Sequence, residues 1–260
     1  MTPKIPLCNT ADEIHSSSSS SSSSSSKQSE PNSNPSSPVV PFGRPMRELF
    51  CFNPAYKPFN HGSFGTFPKA VQEARFEALR KWEEAECISQ VYSYPAALLA
   101  SRKLIAPLLG AALDEVVLLP NATTGVNTVL RNLVYEEGDV IVFPETIYSA
   151  CRGTVEQLEE STAVKGHAID VGYPIEDDEL VELFRETVVR LASEGRRVRV
   201  AVFDCIVSAP GVRVPWERIV AACRELRVLS LIDAAHGIGH VDLRHVGALK
   251  PDFLVTNCHK

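Results

Sequence analysis

Short apolar runs alternate with helix-length stretches along most of this chain, and that alternation restricts the fold more than any other feature. The runs are 116–119 (VVLL), 140–143 (VIVF), 198–203 (VRVAVF), 228–232 (VLSLI) and 253–255 (FLV). Helical stretches fall near 124–133, 148–160, 176–193 and 216–226, after a first helix over 68–86. In that first helix Pro68 suits the opening turn, and Val71, Ala74, Ala78, Leu79 and Trp82 share one face. Strands and helices of these lengths in alternation form βαβ units, so the spacing predicts an α/β fold with a mostly parallel sheet. Such sheets bind ligands beyond the carboxyl ends of their strands. Chemistry is therefore sought in the residues that follow each apolar run.

The alternation starts near Glu48. Before it, eleven consecutive serines (16–26) and seven prolines leave a segment too poor in apolar area to offset its ordering entropy. Residues 1–47 are expected to be a disordered tail, and 48–260 the folded domain. The 260 residues carry a net charge of −6, and residues 48–260 alone carry −7. Neither nucleic acid nor an anionic membrane surface is an expected partner. No apolar run approaches the ~20 residues of a membrane-spanning helix, and the N-terminus lacks the apolar core of a signal peptide. Seven scattered cysteines without a CxxC pair read as reduced thiols, and the expected location is cytoplasmic.

After VVLL, the residues Pro120-Asn121-Ala122-Thr123-Thr124-Gly125 open a helix. The two hydroxyls and the free N–H groups of a helix N-terminus suit a phosphate, while an ordinary N-cap explains the same residues. Neither a P-loop nor a GxGxxG turn is present, so ATP and NAD are not indicated. After VIVF, Tyr148 begins a helix, where an aromatic either stacks on a planar ring or packs on its neighbours. After VLSLI comes Asp233-Ala234-Ala235-His236-Gly237-Ile238-Gly239-His240. An acid ending an apolar strand is costly to bury without a cationic partner, and a protonated pyridine nitrogen is one such partner. A zinc site from Asp233, His236, His240 and His245 competes with that reading, as does a satisfied core role. The intervening glycines and the absence of HExxH weaken the zinc reading.

After FLV, the sequence ends on Thr256-Asn257-Cys258-His259-Lys260. A lysine desolvated at the end of an inner strand suits Schiff-base chemistry, and a hydrated lysine is the plain alternative. A Cys258–His259 dyad is disfavoured, because neighbours in a strand point to opposite faces. His61-Gly62-Ser63-Phe64-Gly65 is not the GxSxG elbow of a serine hydrolase.

The segments 121–127 (NATTGVN), 233–237 (DAAHG) and 257–260 (NCHK) resemble, in order and spacing, the class V aminotransferase-like fold type I pyridoxal-phosphate enzymes. The segment 59–65 (FNHGSFG) is similar to the isopenicillin N epimerase-like branch, near the fungal hercynylcysteine sulfoxide lyases of ergothioneine biosynthesis and cysteine desulfurase-like proteins. The resemblance covers 48–260. It implies the mostly parallel large domain of a fold type I transferase, without the C-terminal small domain that follows in the family.

The resemblance further implies pyridoxal 5′-phosphate as cofactor and no metal. Lys260 matches the lysine that holds the cofactor through an imine, and Asp233 the acid that keeps the ring nitrogen protonated. His236 stands where the class has a donor to the ring's phenolic oxygen. Thr123, Thr124 and His259 match phosphate contacts, and Tyr148 the residue stacked on the ring. Asn60, His61 and Ser63 resemble residues at the substrate end. Asn257 occupies a position where desulfurase relatives often carry serine. The implied activity is C–S lysis of a cysteine conjugate similar to hercynylcysteine sulfoxide. Epimerisation, transamination or desulfuration are alternatives, as is a non-catalytic protein of this fold. The implied partners are a small amino-acid substrate and, for the full-length protein, a second copy in a homodimer. The family's arginine for the substrate carboxylate lies beyond Lys260.

Overall fold

The alternation becomes a five-stranded sheet: β1 (Asp139–Pro144), β2 (Lys165–Ile169), β3 (Arg197–Asp204), β4 (Leu229–Ala234) and β5 (Phe253–Thr256). Its spatial order is β2-β1-β3-β4-β5, and every pairing is parallel. The structure is a computed structural model and describes residues 40–260. Its helices before the sheet are α1 (Arg44–Arg47), α2 (His61–Phe64), α3 (Lys69–Glu84), α4 (Glu86–Ile88), α5 (Tyr94–Leu109) and α6 (Ala122–Asn132). Those within it are α7 (Ser149–Ser161), α8 (Asp177–Ser193), α9 (Trp216–Leu226) and α10 (Val246–Leu249).

The path of the chain decides which helix covers which face. From β1 the chain crosses through α7 to β2 on one side, then returns through α8 to β3 and through α9 to β4 on the other. Right-handed crossovers place helices on opposite faces when the direction of travel reverses. Accordingly α6 and α7 bury Val126, Leu130, Val155 and Leu158 against Ile141, Val200, Val202, Leu231 and Val255. On the opposite face α8 and α9 bury Phe184, Leu191, Trp216 and Ile219 against Val140, Val142, Ala201, Phe203 and Ile232. Phe184 meets Phe203 edge-on at 5.4 Å between ring centroids. Coverage on both faces explains why β1 is buried along its whole length and why the inner strands read as unbroken apolar runs.

Strict alternation of faces then fixes the chemistry at the strand ends. Val200 and Val202 face α6 and α7, so Asp204 at the next even position faces them too. The same count in β4 carries Leu231 to Asp233, and in β5 it carries Val255 to Asn257. The reversal of strand order lies between β1 and β3, which is where an open α/β sheet opens a crevice.

Several expectations change. Residues 116–119 are not a strand: Val116 is extended, but no strand pairs with this run and Val117 is 71% exposed. The fifth strand is instead β2, whose sequence KGHAI is only partly buried because it edges the sheet. Helix α5 adds sixteen residues that carry no polar–apolar periodicity, with apolar side chains around most of its girth. The apolar face of α3 finds little to cover it, leaving Val71 and Leu79 about half exposed, with Trp82 edge-on to Tyr94. Residues 1–39 of the expected tail lie outside the described residues. The described fold takes in 44–47, where the Arg47 guanidinium donates to the carbonyls of Asn53, Pro54 and Tyr56.

A core prediction follows from the layering. Leu231→Ala, at a fully buried position in the centre of β4, lowers unfolding stability by ~2–5 kcal/mol in denaturant titration. Val189→Ala, 59% exposed on α8, changes it by less than ~0.5 kcal/mol.

Candidate functional site

Asp233 ends β4 with 4% of its surface exposed, among α7 and the ends of β3 and β5. Its Oδ1 accepts the Ala235 N–H at 2.9 Å, and its Oδ2 lies 3.6 Å from the Cys151 thiol of α7, which donates to it. Among the described residues neither Asp233 nor Asp204 forms an ion pair. Burial raises the Asp233 carboxyl above its ordinary value, opposed by the Ala235 N–H, the Cys151 thiol and the charges of Lys260 and His236.

His236 follows two residues after the strand. Burial lowers its imidazole below the ordinary value, and the Lys260 ammonium lowers it further, so the ring is held neutral. The Gly62 carbonyl faces that ring, which places the turn of α2 against it. The same turn closes on the chain end. Gly65 has a left-handed φ of +68°, and a Cβ there would sit 1.6 Å from the His259 carbonyl oxygen. Only glycine lets the backbone pass over the residue that precedes Lys260. Two segments nearly two hundred positions apart in sequence therefore meet at Lys260.

The N-terminus of α6 is held against β5 by two contacts. The Ala122 N–H donates to the buried Asn257 Oδ1 at 3.1 Å. Gly125 packs so closely that an added Cβ would lie 2.6 Å from Val255 Cγ1. Asn121 caps the helix by accepting the Thr124 N–H at 2.8 Å, and its carbonyl accepts the Gly125 N–H. That leaves the Thr123 N–H and the Thr123 and Thr124 hydroxyls without hydrogen-bond partners among the described residues, at the positive end of an eleven-residue helix.

The remaining expected residues fall around this centre. Tyr148 is the N-cap residue of α7, 43% exposed. His259 is exposed and Lys260 half-buried. The Ser63 hydroxyl donates to Asn60 Oδ1 at 2.7 Å, so these two form one unit at the start of α2. His61 points its ring edge-on at Phe50 and Phe52, 5.6 and 6.3 Å away, and so belongs to an aromatic cluster. Among the described residues no three His, Cys, Asp or Glu side chains converge for a metal. His245, a member of the zinc alternative, stacks on Trp216 of α9.

The sequence singles out Asn257 without showing its contact, and it misses Asp204. Asn257 is a structural acceptor that ties α6 to β5. Asp204 ends β3 with 5% exposure, in register with Asp233, and its Oδ2 has no hydrogen-bond partner. The rule that located Asp233, an acid just after an apolar run, also picks out Asp204 after VRVAVF.

A buried acid with no ion-pair partner among the described residues suits a cationic ring nitrogen. Unpaired donors at the α6 N-terminus complete a phosphate. An amine at Lys260 near both Asp233 and His236 supplies the covalent anchor. The residues present therefore fit pyridoxal 5′-phosphate.

Comparison with known proteins agrees with that fit. The aminotransferase class V family matches residues 68–260. An L-cysteine desulfhydrase-like protein of Epichloe uncinata is 35% identical over 228 residues, covering 86% of this chain and 48% of that protein. The hercynylcysteine sulfoxide lyase of Schizosaccharomyces pombe is 30% identical over 219 residues, covering 84% of this chain and 54% of that protein. Among solved structures, a C-DES variant with glycine covalently linked to the PLP cofactor superposes with a TM-score of 0.71 at 20% identity. It covers 82% of this chain and 55% of that one. The chain thus spans about half the length of the curated relatives it matches.

The contact between α6 and β5 gives a direct prediction. Asn257→Ala strands the buried Ala122 N–H and lowers stability by ~1–3 kcal/mol in denaturant titration.

Proposed function

The chain belongs to the aminotransferase class V family, and from that premise we propose that it binds the cofactor of a pyridoxal 5′-phosphate-dependent C–S lyase acting on a cysteine conjugate. The observation that carries the reading is Asp233, buried with no ion-pair partner among the described residues, at the strand end that faces Lys260. When bound, the cofactor supplies an electron sink for the electrons left at the substrate Cα.

The chain's own residues do the rest. Lys260 Nζ would hold the cofactor, and its free amine would take the Cα proton. Asp233 would hold the proton of the ring nitrogen through a charge-assisted hydrogen bond in a water-poor setting. His236 would donate to the ring's phenolic oxygen. The Thr123 N–H with the Thr123 and Thr124 hydroxyls would hold the phosphate together with His259, and Tyr148 would stack on the ring. The Asn60–Ser63 unit lies on the turn that closes over Lys260, at the substrate end.

C–S lysis is preferred over epimerisation, transamination or desulfuration because desulfhydrases and a sulfoxide lyase stand among its relatives. A hercynylcysteine sulfoxide-like conjugate is the proposed substrate, by similarity to the fission-yeast relative. We also propose that the full-length protein is a cytoplasmic homodimer.

The test adds pyridoxal phosphate to the purified protein, reduces with borohydride and maps the labelled peptide. The expected result is a visible absorbance band and an adduct on Lys260, both absent from folded Lys260→Ala. A folded wild-type protein without a Lys260 adduct would overturn the reading. With a cysteine S-conjugate, pyruvate release marks lysis, and an inverted amino acid without pyruvate marks epimerisation.

A further inference from the structure

Asp204 has no role in the reading above, yet it is built into the same place as Asp233. The two are Cα partners on adjacent parallel strands, ~4.8 Å apart by strand spacing. Their side chains leave the same face of the sheet, and each is at least 95% buried by exposures of 5% and 4%. Three things separate them. Asp233 accepts the Ala235 N–H and the Cys151 thiol, and it feels the Lys260 charge. Asp204 Oδ2 accepts no hydrogen bond among the described residues. The Cys205 N–H, beside Asp204, is committed to the Asp233 carbonyl at 2.8 Å.

Two carboxylates cannot both ionise cheaply at such spacing in a buried site, so one proton stays with the pair. We propose that Asp204 and Asp233 form a one-proton carboxyl pair in which Asp204 is the neutral member, a positioning residue that leaves Asp233 as the single anion facing the cationic ring. The ring-facing half of this proposal rests on the reading of Asp233 given above; the shared proton does not.

The groups around the pair assign the proton consistently. Burial raises both carboxyls, but the Ala235 N–H, the Cys151 thiol and the Lys260 charge oppose it at Asp233, whereas the Asp233 charge adds to it at Asp204, which is pushed up to about 8. The titratable groups facing them are Cys151 from α7, His236 after β4, and Lys260. Burial and the Asp233 charge raise the Cys151 thiol, which stays protonated and is a donor only. His236 is held neutral. One negative charge therefore remains to meet one ring proton.

The sign of the pH dependence follows. A carboxyl raised in the folded state binds more protons folded than unfolded between the ordinary 3.8 and about 8. Its contribution to stability is full below 3.8 and is lost as pH rises towards about 8. Asp204→Asn keeps the shape and a donor but carries no charge, so it escapes that loss.

The experiment compares cofactor-free wild type, Asp204→Asn and Asp204→Ala by thermal melting across this pH range, then titrates each with pyridoxal phosphate. The melting temperature of Asp204→Asn is expected to rise relative to wild type as pH increases, with cofactor affinity within ~3-fold of wild type because the donor is kept. Asp204→Ala is expected to bind ~10-fold more weakly or worse, having lost the donor to Asp233. Parallel melting curves for wild type and Asp204→Asn at every pH would overturn the proposal. So would a ~10-fold loss of affinity in folded Asp204→Asn, which would show that the charge of Asp204 is what matters. If the wild type takes up no pyridoxal phosphate while the pH-dependent melting difference is present, the proposed function fails and the shared proton stands.

Discussion

Everything at this site depends on holding a carboxylate where water cannot reach it. Asp233 closes a strand whose other members are among the most buried residues of the molecule, and no cation of the described residues pairs with it. A buried anion of this kind is tolerated only if something positive completes it, and removing that partner from such a pair is worth ~3–5 kcal/mol. The Ala235 N–H and the Cys151 thiol offset part of the desolvation. The remainder is a standing preference for a cationic ligand, written into the fold before any ligand arrives.

The sheet makes this possible. Parallel strands covered on both faces end together at one edge, and alternation sends Asp204, Asp233 and Asn257 to the same side, under α6 and α7. The helix that presents its N-terminus there is locked to β5 by a buried hydrogen bond from its first residue and by a glycine-to-valine contact. The α6 N-terminus and the buried Asp233 are thus set by one block of β4, β5 and α6. The turn around Gly65, arriving from far earlier in the chain, closes over its last residues.

Much of this was legible in the sequence, and the reasons are specific. Runs such as VIVF and VLSLI are read easily because inner parallel strands lack polar positions, and Asp233 stands out as the acid that ends one. The four helices from 122 to 226 begin and end within about two residues of their expected bounds, since each carries a regular apolar stripe. VVLL misled because apolar content signals a buried strand only when a neighbour pairs with it. KGHAI was invisible because an edge strand is half polar. Helix α5 gave no period to read. Asp204 escaped for another reason: its significance lies in the register with Asp233, and register across strands joined by a crossover helix is not local information. Asn257 likewise needed the structure, because its partner is the backbone of Ala122, 135 positions away.

The central claim is that the fold holds Asp233 as an anion in order to keep a ring nitrogen protonated. The most direct measurement is nitrogen NMR of ring-labelled pyridoxal phosphate bound to the protein, in wild type and in Asp233→Ala. The account predicts a pyridinium-type shift in wild type through neutral pH and a neutral-pyridine shift in the variant. A neutral-pyridine shift in the loaded wild-type protein would contradict it.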